Sequence, residues 1–401
     1  MQASFLKSND CKNFILKQNI LGLCINDGNY NLADLSRAIN TSIPTTTKLI
    51  EELIEEGFIE ELGKQDTNGG RKPSIFGLNP SAGYLVGIDV KKKSICIAIT
   101  DFKGQVITYI ENHPFVLENS EESVILLCRT IRELVKKAGL EDDESIMAYG
   151  FNLSGRVNNE TGFCFTYFLG EDKSITSVLE NEFNTPVFVE NDSRAMTYGE
   201  YICGVAKGEK DMLFLNIAWG LGMGMIINGK LHYGKSGFSG EIGHFPILDN
   251  EQICQCGKTG CLETGASGLA AHRIIMEKLK EGRASILSEK YLKSEEITLD
   301  DILNAVNEED ILAIEVIEEV GTTLGRAIAG LINLFNPELV VIGGKVSSAA
   351  NYLMLPLKSA VQKHSLNLIN RDSTIKLSKL GEKGGAIGAC LLSRSKLIGL
   401  L

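Results

Sequence analysis

The sequence lacks an excess of positive charge. Its 401 residues carry 40 Lys and Arg against 51 Asp and Glu, a net charge of −11, so nothing in the total favours nonspecific attraction to nucleic acid. The first 80 residues are no exception, with 8 basic against 10 acidic side chains; any DNA-binding argument is therefore local. Long apolar runs are missing too. The most apolar stretch, "MLFLNIAWGLGMGMII" at 212–227, falls short of the roughly 20 residues a membrane span needs and is broken by closely spaced glycines. It reads as a buried strand, turn and strand. Near the N-terminus, Lys17, Gln18 and Asn19 interrupt the apolar core of a signal peptide, so a cytoplasmic location with no membrane partner is expected. Ten cysteines in such a chain argue for reduced thiols rather than a disulfide framework, and most, such as Cys96, Cys128 and Cys203, read as small core residues.

What is present is an ordinary soluble composition, 44% hydrophobic and 23% charged, long enough at ~100–200 residues per domain for two to four domains. Three helical patterns come first, at about 11–26, 31–39 and 42–56. Asn31 and Ser42 are suited to cap the second and third, with Pro44 in a first turn where its missing N–H does no harm. Only Asn40 and Thr41 separate those two helices. Two short strand patterns, "FIEEL" and "SIFGL", then flank the loop "GKQDTNGGRKP". Three helices and a hairpin are the order of a winged helix. Its third helix offers Ser42, Thr45, Thr46 and Lys48 to DNA, and the wing tip offers Arg71 and Lys72 beside Gly69 and Gly70. Glu51, Glu52, Glu55 and Glu56 are expected to face solvent. The alternative is a helical module that docks on a partner protein.

From Tyr84 the pattern changes to strands: "YLVGID", "SICIAITD" and "QVITYI", with a lysine turn at 91–93. A similar arrangement returns about 125 residues later as "MLFLNI", "MGMIIN" and "KLHYG". Helical stretches at about 120–138, 192–203, 265–282 and 311–335 complete an alternating α/β body. The echo implies two similar lobes with a ligand held between them.

The densest chemical signal is "GEIGHFPILDNEQICQCGKTGCLETGAS". Cys254, Cys256 and Cys261 fall within eight residues around two glycines, and His244 stands ten residues before the first of them. Three thiolates and one imidazole make a closed tetrahedral set suited to a structural Zn²⁺; the alternative is three free core cysteines and an unrelated histidine. Glu241 and Glu263 flank the cluster. In "VFVENDSRA", Asn191 and Asp192 end a strand before a helix, where an amide and carboxylates suit the hydroxyls of a sugar, and an aspartate suits general-base work.

On these motifs the sequence resembles the ROK family of repressors and sugar kinases. "GEIGH" and "CQCGKTGCLE" are similar to its sugar and zinc signature, "VEND" to its catalytic strand end, "GFNLSGRV" to its sugar loop and "VVIGG" to its adenosine-side turn. The N-terminal extension is like that of family repressors. The resemblance implies a winged helix-turn-helix followed by a two-lobed actin-like, ribonuclease H-like fold. The expected domains are 1–79, 80–191 with a C-terminal helix at about 381–401 packing back on it, and 192–380 with the zinc site and a dimerisation surface. It also implies sugar contacts from Asn191, Asp192, Glu241, His244 and Glu263, with Asp192 at the base position. Zinc would be held by His244, Cys254, Cys256 and Cys261, His244 serving both sites.

The sequence departs from the family's kinases at both phosphate turns. Lys91, Lys92 and Lys93 stand where kinases carry two glycines and a threonine, and Ala218-Trp219-Gly220 where they carry glycine-threonine-glycine. Phosphoryl transfer depends on positioning and charge at the phosphates, so the expected function is a sugar-responsive repressor rather than an enzyme. Its partners would be an inverted-repeat operator, a sugar or sugar-phosphate effector, and a second copy in a homodimer or tetramer. An active kinase with a regulatory domain is the alternative.

Overall fold

The computed structural model describes residues 11–64, 73–140, 145–167 and 174–401. The chain divides into two compact units, Met1–Ala195 with Gly385–Leu401, and Met196–Gly384.

Unit 1 opens with the helical head: α1 (Cys11–Asp27), β1 (Tyr30–Asn31), α2 (Leu32–Ala38), α3 (Ile43–Glu55), β2 (Ile59–Lys64) and β3 (Ser74–Leu78). The expected caps form. Asn31 accepts from the Asp34 N–H at 2.9 Å and Ser42 from the Thr45 N–H at 3.3 Å, satisfying donors that a helix start leaves without partners. Asn40 turns the chain between α2 and α3 in the left-handed region, at φ 52°, which asparagine tolerates better than most residues. The wing sheet has three strands in the order β1-β3-β2. The two-residue β1 is too short to leave a pattern in the sequence.

The rest of unit 1 is built on β4 (Tyr84–Val90), β5 (Ser94–Asp101), β6 (Val106–Pro114), α4 (Glu121–Lys137), β7 (Ile146–Leu153), the small hairpin β8 (Val157–Asn158) and β9 (Phe163–Cys164), α5 (Ile175–Phe183) and β10 (Val187–Asn191). The sheet order is β10-β7-β4-β5-β6, with β7 parallel to both β4 and β10 and the other pairs antiparallel. Every residue of β7 is buried, as befits a strand covered on both faces. α6 (Asp192–Ile202) follows β10 without a loop, and the division between units falls within it.

Unit 2 carries β11 (Met212–Ile217), β12 (Leu221–Ile227), β13 (Lys230–Leu231), α7 (Gly268–Lys280), α8 (Ser288–Leu292), α9 (Leu299–Asn307), α10 (Ile311–Phe335), β14 (Leu339–Gly343), α11 (Asn351–His364), α12 (Asn367–Asn370) and β15 (Thr374–Leu377). Its sheet runs β13-β12-β11-β14-β15. Numbered within each unit, the order is 3-2-1-4-5 in both, so the internal echo of the sequence is a duplicated sheet. The last helix, α13 (Gly384–Leu397), returns the chain to unit 1. No helix among the described residues is long and apolar enough to cross a membrane.

Candidate metal centre and strand-end residues

In unit 1 the end of β10 delivers Asn191 and Asp192 to the start of α6. The Asp192 carboxylate accepts the Ser193 N–H at 2.6 Å, the Asn191 amide at 3.0 Å and the Ser154 hydroxyl at 3.2 Å. Burial holds this carboxyl above the usual carboxylate range, although the hydrogen bonds from Ser193 and Ser154 and the nearby Arg194 pull the other way. A raised carboxyl at a strand end is chemically fit to take a proton from a hydroxyl. Asn191 is held in turn, donating to the Gly155 carbonyl at 2.9 Å and accepting the Arg194 N–H at 3.2 Å. Ser154 and Gly155 belong to the "GFNLSGRV" loop, so loop and strand end form one hydrogen-bonded unit.

Beneath them lies a group that the sequence reading missed. Glu190 is buried and accepts from Arg194 Nε at 2.6 Å, from Lys396 Nζ at 3.1 Å and from the Asn191 N–H at 2.9 Å. Burial alone would raise its carboxyl, but Lys396, Arg194 and the Asn191 N–H hold it below the usual range. The sequence signal was the polar triplet Glu190-Asn191-Asp192 after an apolar strand; its partner Lys396 is 206 residues away.

The lysine turn is closed by the Lys91 N–H on the Ser94 carbonyl at 2.9 Å. Lys92 and Lys93 are exposed, and Lys91 Nζ lies 3.4 Å from Asn112 Oδ1. Asp89, at the end of β4, is buried.

In unit 2 the turn at 218–220 is tied to the start of α7. The Gly268 and Leu269 N–H groups donate to the Ala218 and Trp219 carbonyls at 2.8 and 2.9 Å. Those helix-start donors, which elsewhere are free to meet a phosphate, are taken by the chain itself. Trp219 remains 41% exposed, with its ring 5.5 Å from that of His272.

The segment between β13 and α7 contains no helix longer than three residues, yet it brings four ligand residues together. One ligand atom each of His244, Cys254, Cys256 and Cys261 lies within 4.8 Å of all the others. Cys254 Sγ is 3.5 Å from His244 Nδ1, and the Cys256 and Cys261 sulfurs are 3.6 Å apart. Ligands about 2.3 Å from a common centre at the tetrahedral angle stand about 3.8 Å apart, so the residues fit a small soft cation. Turns with positive φ at Gly257 and Gly260, 82° and 75°, bend the chain so that its thiols converge. Burial pushes the Cys254 thiol up to about 12; a thiol so placed ligates when a cation displaces its proton.

Glu241 and Glu263 are brought to this cluster. Glu241 Oε2 lies 3.8 Å from His244 Nε2, the ring nitrogen facing away from Cys254. Glu263 places one oxygen 3.7 Å from Cys254 Sγ and accepts the Leu221 N–H with the other at 3.0 Å. The carboxylate thus bridges the cysteine cluster and the start of β12, just after the 218–220 turn.

The head corrects two expectations. Thr46 is fully buried, its hydroxyl directed to the Ser42 carbonyl at 3.1 Å and to Thr41 Oγ1 at 2.8 Å, so it supports the helix start and is not presented to DNA. Nor do all four glutamates of α3 and its cap face solvent. Glu52 and Glu56 clamp the buried Lys17 of α1 at 2.8 and 2.7 Å, because their i, i+4 spacing faces the neighbouring helix. Ser42, Thr45 and Lys48 are exposed on the N-terminal half of α3. Arg71 and Lys72 lie outside the described residues.

The ROK family model matches residues 85–396, and a winged helix-turn-helix DNA-binding model matches 15–60. The chain is 31% identical over 372 residues to the xylose repressor of Caldicellulosiruptor bescii, covering 91% of each chain. It is also 32% identical over 311 residues to a glucokinase of Halalkalibacterium halodurans, covering 76% of this chain and 93% of the glucokinase. A solved ROK family transcriptional regulator, a homologue of the E. coli MLC protein, is similar with a TM-score of 0.82 and 27% identity, over 98% of both chains.

Proposed function

The chain belongs to the ROK family, and on that premise we propose that it is a sugar-responsive transcriptional repressor of carbohydrate-utilisation genes. One observation carries the reading: a winged helix with an exposed Ser42, Thr45 and Lys48 on its third helix precedes a family body whose phosphate turns lack both threonines and keep, of their four glycines, Gly220 alone. The exposed side chains suit base and phosphate contacts in a major groove, and Arg71 and Lys72 suit a minor groove or backbone. Asn191, Asp192, Glu241, His244 and Glu263 contact the sugar, as the family pattern assigns them. His244, Cys254, Cys256 and Cys261 hold a structural Zn²⁺ through the imidazole Nδ1 and three thiolates, leaving Nε2 for a hydroxyl; the ion fixes that ring.

The proposed domains are 1–79, 80–191 completed by the C-terminal helix at about 381–401, and 192–380. A twofold dimer reads an inverted repeat, and the effector acts by favouring one arrangement of the protein over another. Selection of bound fragments from a random DNA pool by the full-length protein is expected to enrich an inverted repeat, and a sugar from a panel of pentoses, hexoses, N-acetylated amino sugars and their phosphates to alter its affinity. Absence of any enriched sequence overturns the proposal. The setting of Asp192 and the glucokinase relative favour a second reading, an active sugar kinase. ATP-dependent turnover of a sugar, lost in Asp192→Ala, would establish it.

A further inference from the structure

We propose that α13 is the mechanical link between the effector residues of unit 1 and the DNA head, which rests on the repressor reading and supplies the route of its regulation. At its first turn Gly385 has no room for a side chain, since a Cβ there would lie 2.6 Å from the Asp89 carboxylate. The Gly385 carbonyl accepts from the Asn152 amide at 2.5 Å. In its last turn Lys396 pairs with Glu190, which also accepts the N–H of Asn191. At its far end Gln18 of α1 donates to the Ile398 carbonyl at 2.8 Å and the Gly399 carbonyl at 3.3 Å, and Leu400 rests against Gly22 of α1.

A second strut leaves the same helix. The buried Arg394 donates to the Phe102 carbonyl at 3.0 Å, and the Phe102 ring lies 5.4 Å from that of Phe58, just beyond α3. The 14 residues of α13 make a rod about 21 Å long. Its contacts at both ends are directional hydrogen bonds and ion pairs, which fix register where apolar faces would slide. Displacement of Asn191 and Asp192 by a ligand therefore transmits through Glu190 and Lys396 to α1, and through Arg394 and Phe102 to the end of α3.

Thermodynamic coupling is reciprocal, so the link is testable without sugar or DNA, by hydrogen exchange of the full-length chain. Gln18→Leu cuts the contact with α1, and Lys396→Met cuts the contact with Glu190. The expected result is about fivefold faster exchange at 187–195 in Gln18→Leu and at 13–25 in Lys396→Met, the low end of measured couplings. Leu400→Ala reproduces the first effect if Gln18→Leu unfolds the head, and Lys345→Ala in unit 2 changes neither region. Exchange changes confined to α1 and 394–401 in Gln18→Leu and Leu400→Ala, or to the Glu190 side in Lys396→Met, overturn the proposal. Failure of the wild-type protein to select DNA would overturn the repressor reading and leave this link standing.

Discussion

The two units share a strand order and bury their sheets in different ways. In unit 1 the facing positions of β4 and β7 are Gly87 and Gly150, and α13 comes down on them. A Cβ would lie 2.0 Å from the Ala386 carbonyl at the first and 2.5 Å from the Ala389 carbonyl at the second. In unit 2 the pair at the same distance from its hairpin turn is Phe214 and Val341, both fully buried. There the glycines sit in the helix instead: Gly321 and Gly325 of α10 admit the backbone of α11. The same topology thus accepts backbone contact at the sheet or at the helix pair. Placing it at the sheet holds α13 in register with Asp89, Asn152 and Glu190; placing it among helices leaves the sheet with an apolar face.

A second difference lies beyond the third strand of each sheet. Unit 1 proceeds to α4, whose backbone satisfies itself, whereas unit 2 spends residues 232–267 on turns and three-residue helices. Such a segment needs another source of order, and the proposed Zn²⁺ at His244, Cys254, Cys256 and Cys261 would supply it. The largest expected effect tests this. Cys261→Ser, or removal of zinc by a chelator, is expected to cost about 4–5 kcal/mol, in the exceptional range that metal loss reaches. Bound zinc and the unfolding midpoint would both fall, with faster exchange at 232–267; an unchanged midpoint would show that the segment is ordered without the ion.

Leu215→Ala comes next, opening a cavity in unit 2 at about 2–5 kcal/mol. In unit 1 Gly87→Ala forces a side chain into the α13 backbone, an overpacking cost of about 1–3 kcal/mol. Denaturant unfolding measures both, and exchange mapping separates them: the first loosens unit 2, the second releases α13. If both loosened the same region, the contrast between the units would fail.

Lys396→Met removes a charged hydrogen bond worth about 1.5–3 kcal/mol near neutral pH. Glu190 has its folded pKa depressed, so its pairing contributes above the unfolded value of about 4.3 and is lost as pH falls through the depressed value. The stability gap between variant and parent should close in acid. A gap that persisted there would assign the effect to packing of the lysine stem.

Much of the fold was legible. The hairpins opening each unit, the caps at Asn31 and Ser42, and the crowded cysteines with their turn glycines all depend on residues a few positions apart. Less of the site was legible. Thr46 carries the same hydroxyl as Thr45 and is buried, because one step around a helix decides which side turns inward, here toward Thr41. Lys17 read as an interruption of an apolar run, and it is the buried partner of two glutamates 35 and 39 positions away. The first contact is written in the helical period, since Thr46 stands three and four positions before the buried Leu49 and Ile50; the second leaves no trace in local spacing.

The sequence by itself determined the family, the candidate metal-ligand set and the departures at the phosphate turns, since each is a short pattern of residue type and spacing. Only the tertiary structure decided that Glu190 pairs with Lys396, and that α13 and the residues just after it reach from Asp89 to Gln18. Those facts depend on which faces meet after the chain has closed on itself, and period and propensity carry no information about contacts hundreds of residues apart.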